Sequence, residues 1–464
     1  MTDAAPHPQP NVPGRGIVAS YGRQFWLLVA LIGLLTGLAA AALVQLLRAV
    51  QHLAWGYHAG DFLTAVEGTS ATRTVVVLVI GGIVAGGGAM LLPRRGVGDV
   101  SEAIWRRDAR LPLIGSLARG VHSIVIVALG ASLGREAAPQ QAGAAFASNL
   151  SDWAQLPDWQ RRLLVACGAG AGVAAVYNVP LGGALFALEV LLGTLTLPLV
   201  LPALATSVIA TAVAWVALPD RPTYSIPHYE VHTSAIIWAL ILGPIAGFAS
   251  ILYIRLIVRA HARRPEGRMR LLAPIVVFAV LGFVAIAYPQ ILGNGKGIVQ
   301  ITLVGRLSAA TIAVLLVLKP LATAACLGSG APGGLFTPTL SFGVLLGGLL
   351  GDAWSQLWPG TPLGVYAIIG GAAVLGASMQ APITAVVMLL ELTHQADSLV
   401  VPIILAVVAA TVIARLYGAP SIYSARVTAP PVEVRDLHAD QVSDASQMPA
   451  PSDVLPSTLP AEQG

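Results

Sequence analysis

The residues best suited to chemistry in this chain stand in two glycine-rich stretches. One is Gly130–Gly143, GASLGREAAPQQAG, where Arg135 and Glu136 are adjacent; the other is Gly328–Pro338, GSGAPGGLFTP, which opens the apolar run TLSFGVLLGGLLG. A glycine-rich turn that opens an apolar helix leaves the first helical N–H groups without intrahelical partners. Inside a membrane those donors need an acceptor, and an anion can be that acceptor. The helix dipole adds about 0.3–1 kcal/mol, more where the end is partly buried. Several converging helix starts bind an anion without a fixed lysine or arginine, whose full charge would hold the ion too long for rapid release. GREAAPQQAG reads as the equivalent helix start in the earlier part of the chain.

Glu136 then has a reason to be there. A carboxylate at the bilayer centre costs about 2.5–3.5 kcal/mol on insertion scales, which marks such groups as functional. At a helix start whose donors suit an anion, the carboxylate fills the anion site itself. Protonation, or an arriving anion, releases it. The competing reading is an Arg135–Glu136 pair that neutralises itself, but adjacent residues on a helix do not face each other.

A helical membrane protein must hold these stretches. Of the 464 residues, 56% are hydrophobic and 10% charged, against roughly 45–50% and about 25% in soluble domains. Apolar stretches of spanning length (~17–25 residues) begin at Phe25, Val75, Ala235 and Leu271, with others from Pro198 and Val400. Leu163–Val176, Leu181–Leu192, Leu335–Leu350 and Pro382–Leu392 are shorter and interrupted by Gly and Pro. Such segments suit broken or tilted helices enclosed by protein. Residues 1–19 form a polar segment with no apolar core, so no signal peptide is expected. The Pro-, Asp- and Ser-rich residues 426–464 read as a disordered tail, too short for a regulatory domain. Cys167 and Cys326 give no metal or disulfide spacing and are expected to pack. Arginines cluster at Arg94, Arg95, Arg106, Arg107 and Arg110, and again at Arg259, Arg263, Arg264, Arg268 and Arg270. Excess Lys/Arg in short loops marks the cytoplasmic side. Topology thus accounts for the net charge of +4, and nothing else argues for nucleic acid.

An internal repeat organises the spans. Gly168–Glu189, GAGAGVAAVYNVPLGGALFALE, and Gly370–Glu391, GGAAVLGASMQAPITAVVMLLE, share a glycine twelve residues before a proline and a glutamate nine residues after it. GASLGREAAP lies over GAPGGLFTP at nearly the same offset. Duplicated halves, approximately 20–220 and 233–425, place a transport site between corresponding Gly/Pro-interrupted segments.

Together these residues resemble the CLC family of chloride channels and proton-coupled chloride exchangers, over roughly Gly16 to Ala425. GSGAPGGLFTP matches the family's GxFxP at Gly334, Phe336 and Pro338; Gly134–Glu136 opens its GREGP; in PSIYSA, Tyr423 matches its pore tyrosine. The resemblance implies an all-α polytopic membrane protein, a CLC-type fold of many tilted and broken helices in two inverted repeats. It implies a homodimer in the bilayer, bacterial-type and in the inner (cell) membrane, with a pore in each subunit. The dimer surface maps onto Leu181–Leu218 and Pro382–Leu416. The transported ion is chloride or a related small inorganic anion, with no cofactor. The anion is expected near Leu335, Phe336 and the Tyr423 hydroxyl, with Gly334 and Arg135 beside it and Glu136 as the external gate and proton acceptor.

Three positions depart from the family pattern. The family's GSGIP reads Gly96-Val97-Gly98-Asp99-Val100, so Val97 replaces an anion-contacting serine. Asp99 repels anions at the cytoplasmic mouth unless Arg94 or Arg95 neutralises it. GREGP reads Gly134-Arg135-Glu136-Ala137-Ala138, with the proline shifted to Pro139. The exchangers' inner glutamate is Val190, which cannot relay a proton. The expected function is therefore passive anion conduction, with proton-coupled exchange by another proton path as the alternative. No nucleophile–base pair or metal set suggests an enzyme. Glu189 and Glu391 are expected at helix ends, Lys319 as a snorkelling or capping residue, and Arg119 and His122 as structural polar groups on one helix face.

Overall fold

The computed structural model describes residues 21–92, 99–106, 108–230, 232–394 and 396–426. Gly96, Val97, Gly98, Arg94, Arg95, the polar amino-terminal segment and the expected tail after Arg426 lie outside these residues. Among the described residues there are seventeen α-helices and no sheet. The first half holds α1 (Arg23–Trp55), α2 (Phe62–Glu67), α3 (Ala71–Leu91), α4 (Val100–Arg106), α5 (Leu113–Ala128), α6 (Ala137–Trp153), α7 (Asp158–Tyr177), α8 (Pro180–Leu185) and α9 (Leu197–Ala214). α8 continues as a π-helical turn, Phe186–Leu192. The second half holds α10 (Thr233–Ala262), α11 (Met269–Ala287), α12 (Lys296–Leu303), α13 (Ala309–Gly328), α14 (Phe336–Leu357), α15 (Leu363–Met379), α16 (Pro382–Thr393) and α17 (Ala396–Leu416).

Eight of these are long and apolar enough to cross a membrane: α1, α3, α9, α10, α11, α13, α14 and the Ser398–Leu416 part of α17. α14 runs to Leu357, beyond the apolar stretch ending at Leu350. Its core-facing residues lie against α15 rather than lipid, so Thr, Ser and Gly replace bulky apolar groups there.

The main helix pairs repeat between the halves. α1 packs on α9 as α10 packs on α17, and α6 on α7 as α14 on α15. Each of the last two contacts is backbone against backbone. A Cβ on Gly143 would run into the Gly168 carbonyl, and one on Gly343 into that of Gly370. The repeated glycines are thus set by helix approach. The turns repeat as well. α7 ends on left-handed Asn178 (φ 58°) and α15 on left-handed Gln380 (φ 59°), and each is followed two residues later by the proline that opens the next helix. A left-handed residue stops one helix, and a proline at the first helical position starts the next without losing a donor.

Glu189 and Glu391 cross between the halves, as helix-end residues should. The Glu391 carboxylate accepts from the N–H groups of Leu181 (3.0 Å) and Gly182 (2.6 Å) at the start of α8. Glu189 accepts from Ile383 N (3.2 Å) and from Thr384 N and Oγ1 (both 2.6 Å) at the start of α16. Each acid caps the opposite half's broken helix. Removing one leaves two N–H groups without an acceptor in an apolar setting, at about 1–3 kcal/mol for each unsatisfied group. Glu391→Ala is therefore expected to lower the thermal midpoint of the purified protein, and Glu391→Gln to lower it less. Equal midpoints for parent and alanine variant would refute the capping role.

Candidate functional site

The two glycine-rich stretches meet at the centre. Gly134 N donates to Gly334 O (2.7 Å) and Gly334 N to Gly134 O (2.8 Å), a single antiparallel bridge. Flanking contacts repeat about it. Ser123 Oγ donates to Pro332 O (3.2 Å), and Ser132 Oγ lies 3.3 Å from Thr323 Oγ1, the same pair of positions with the halves exchanged. An antiparallel bridge between equivalent residues relates the halves by a local two-fold axis, and it sets the starts of α6 and α14 side by side.

Glu136 immediately precedes α6 and is 1% exposed. Its Oε1 accepts from Phe336 N (2.7 Å), the first residue of α14, and its Oε2 from the Tyr177 hydroxyl (2.9 Å). Tyr177 Oη also lies 2.5 Å from Thr337 Oγ1. Gly134 and Gly334 make room for this carboxylate: a Cβ on either would collide with its oxygens. A side-chain anion thus sits on the open N–H of a helix start, where a free anion would find the same donors. Pro338, third in α14, contributes no N–H to the set.

Arg135 does not close on its neighbour. Its Nη2 donates to Val176 O (3.4 Å), and its guanidinium lies 5.2 Å from the centre of the Tyr177 ring. The self-neutralising pair is not formed, because Glu136 is taken by donors from α7 and α14. Leu335 and Phe336 are buried at the start of α14. Tyr423 is buried with its ring edge-on to Phe186, centroids 5.4 Å apart, and its hydroxyl has no hydrogen-bond partner among the described residues. Val190 is buried on the π-helical turn, and Glu189 beside it is held by α16.

Two expectations change. Lys319 does not snorkel: it is fully buried on α13, and its Nζ donates to Ser132 Oγ, Ile291 O and Gly293 O, each at 2.9 Å. Three acceptors match the donors of the side-chain nitrogen, so it stays inside and ties the Ser132 turn to the loop before α12. Asp99 has a partner that the sequence did not suggest, Arg426, whose Nη1 lies 3.5 Å from its carboxylate. Tyr177 and Thr337 were not legible as site residues either. Tyr177 reaches Glu136 across 41 residues and Thr337 joins through Tyr177, 160 residues away; both lie in stretches that stand out, but nothing local marks these two side chains as partners of the carboxylate. Cys167 and Cys326 are buried free thiols, consistent with packing.

Comparison with known proteins matches this geometry. The profile described as voltage gated chloride channel matches residues 81–415. A ClcB-like chloride channel protein of Ralstonia nicotianae is 35% identical over 413 residues, covering 86% of this chain and 95% of that protein. The voltage-gated ClC-type chloride channel ClcB of Salmonella typhimurium is 31% identical over 411 residues, covering 86% and 97%. Among solved structures, a slow cyanobacterial Cl⁻/H⁺ antiporter superposes with a TM-score of 0.76 at 21% identity, covering 91% of this chain and all of that one. A CLC-type fluoride/proton antiporter superposes with a TM-score of 0.70 at 20% identity, covering 87% and 97%.

Proposed function

Because this chain belongs to the voltage-gated chloride channel (CLC) family of integral-membrane anion transporters, we propose that it conducts chloride or a related small anion passively, through a pathway closed by the Glu136 carboxylate. The carrying observation is the carboxylate on Phe336 N. A negatively charged group occupies a donor set that a permeating anion can use, so the two compete. Protonation of Glu136, or its displacement, opens the pathway. Chloride then meets the first N–H groups of α14 and, further along, the Tyr423 hydroxyl, a buried donor that no group among the described residues takes.

The passive reading rests on Val190. Where the family's exchangers carry an inner acid this chain has a buried apolar side chain, and neighbouring Glu189 is engaged in capping α16. A carboxylate that accepts two backbone donors and a hydroxyl is not placed to carry a proton inward. Proton-coupled exchange is the alternative, as in the two antiporters that share this fold. Subunits are proposed to pair as homodimers in the bacterial inner membrane through the outer faces of α8, α9, α16 and α17, where Leu201, Val208, Val401 and Val408 are exposed. A monomeric mass in native mass spectrometry from mild detergent would contradict that pairing.

Chloride efflux from liposomes containing the purified protein tests the reading. Silence for chloride, fluoride, nitrate and bromide alike would overturn it. Within it, Tyr423→Phe is expected to shift selectivity among these anions and weaken anion binding about tenfold, the worth of one hydrogen bond to a charged group. Unchanged selectivity with unchanged yield would remove Tyr423 from the site.

A further inference from the structure

A basic cavity lies apart from the carboxylate-filled site. It sits on the side marked cytoplasmic by the arginine-rich loops, between the end of α3, α5, the α10–α11 connection and the turn before α14. About 80 Å³ in volume, it is lined by Arg119, His122, Arg264 and Arg270, and no carboxylate lines it among the described residues. A single water needs roughly 10–15 Å³ on such a measure, so the cavity has room for a small polyatomic ion.

Its polar side chains are fixed rather than trailing. Arg264 Nε donates to Leu327 O (3.3 Å), Arg270 Nη2 donates to Ala89 O, and His122 Nε2 lies 3.0 Å from Val84 O. Gly88 packs directly beneath the His122 ring, where a Cβ would collide with it. A neighbouring cavity shares Arg119 and Arg264, is lined also by Asp99 and Arg426, and reaches Ala137 and Ala138 at the start of α6. The cluster therefore borders the inner end of the site without being part of it.

Its chemistry differs from that of the site. Single backbone N–H groups and hydroxyls suit a monatomic halide, whereas planar guanidinium forks match anions that present several oxygens. The rim carries exposed apolar side chains: Leu91 and Met269, 85% and 55% exposed, end α3 and begin α11 beside the cavity. Basic pockets between membrane helices on the cytoplasmic side accept lipid head groups. We propose that this cavity, lined by Arg119, His122, Arg264 and Arg270, binds a phosphate group, carried either by a soluble phosphate or by a phospholipid head group.

Full-length protein, purified in detergent and stripped of lipid, would be titrated calorimetrically with inorganic phosphate and with pyrophosphate. In parallel, protein recovered from vesicles of phosphatidylcholine alone, or mixed with phosphatidylglycerol, would be assayed for retained phosphorus. Pyrophosphate binding near one per subunit assigns a soluble ligand. Phosphatidylglycerol retained without such binding assigns a head group. In either case Arg270→Gln and His122→Gln should weaken binding, the arginine change by about tenfold, and Arg270→Lys should restore part of it. Monodisperse gel filtration and an unchanged thermal midpoint would show the variants folded. No phosphate, pyrophosphate or retained phospholipid on the parent protein, or equal binding by folded Arg270→Gln, would overturn the proposal. Because binding is read without chloride flux, its failure is separate from failure of the transport reading.

Discussion

Replacing Glu136 by Gln or Ala is expected to abolish the pH dependence of anion flux and to raise flux at neutral pH by about ten- to a hundredfold. The magnitude follows from what the carboxylate gives up. The donor that a permeating anion needs is Phe336 N, which the carboxylate holds, and one hydrogen bond to a charged group is worth about 1.5–3 kcal/mol, where 1.4 kcal/mol is a factor of ten. The sign is fixed by charge. Protonation neutralises the side chain and weakens its hold on Phe336 N, so flux through the parent protein rises as pH falls. Neither variant can be ionised, so neither should follow pH. The check is chloride efflux from liposomes across acidic to neutral pH at a clamped potential. A parent-like pH profile in both variants would remove Glu136 from the gate.

Gly134→Ala should act as a partial removal of the same carboxylate without touching it. The backbone at Gly134 is not left-handed, so alanine adopts it without strain. The new methyl meets the carboxyl end of Glu136 on either oxygen, and the side chain must give way because the bridge to Gly334 holds the backbone. Flux at neutral pH is expected to rise, as in Glu136→Ala, with some pH response kept because the acid is still present. The double variant should add nothing to Glu136→Ala alone, since both changes act on one group. Efflux measured for the three proteins decides this. Additive effects, or a silent Gly134→Ala that folds normally, would show that the glycine has another role.

Much of this arrangement is legible in the sequence because membranes constrain it. Spans starting near Phe25, Val75, Pro198, Ala235, Leu271 and Val400 face lipid and read as continuous apolar runs. α13 does not, since Lys319 and Pro320 interrupt it, and the lysine is tolerated only because a distant loop supplies two carbonyls and Ser132 a hydroxyl. The glycine, proline and glutamate of the repeat are legible for a physical reason: each marks a close helix approach, a helix start or a reciprocal cap. Gly134, Glu136, Gly334 and Phe336 stand out for the same reason, as interruptions in apolar sequence. The partners that hold Glu136 do not. Tyr177 and Thr337 look like ordinary helix residues, and only the packing of α7 against α6 and the meeting of the halves bring them there. Arg426 near Asp99 is likewise invisible, since it joins the end of the described chain to the start of α4.

Passive conduction is tested most directly by following chloride and protons together. Purified protein in liposomes holding an outward chloride gradient, with the membrane potential set by valinomycin and potassium, would be monitored for chloride efflux and external pH at once. Chloride should run down its gradient with no proton movement against the proton gradient, in keeping with buried Val190 at the inner position. Chloride efflux that drives protons uphill would contradict passive conduction and require a proton path that bypasses Val190.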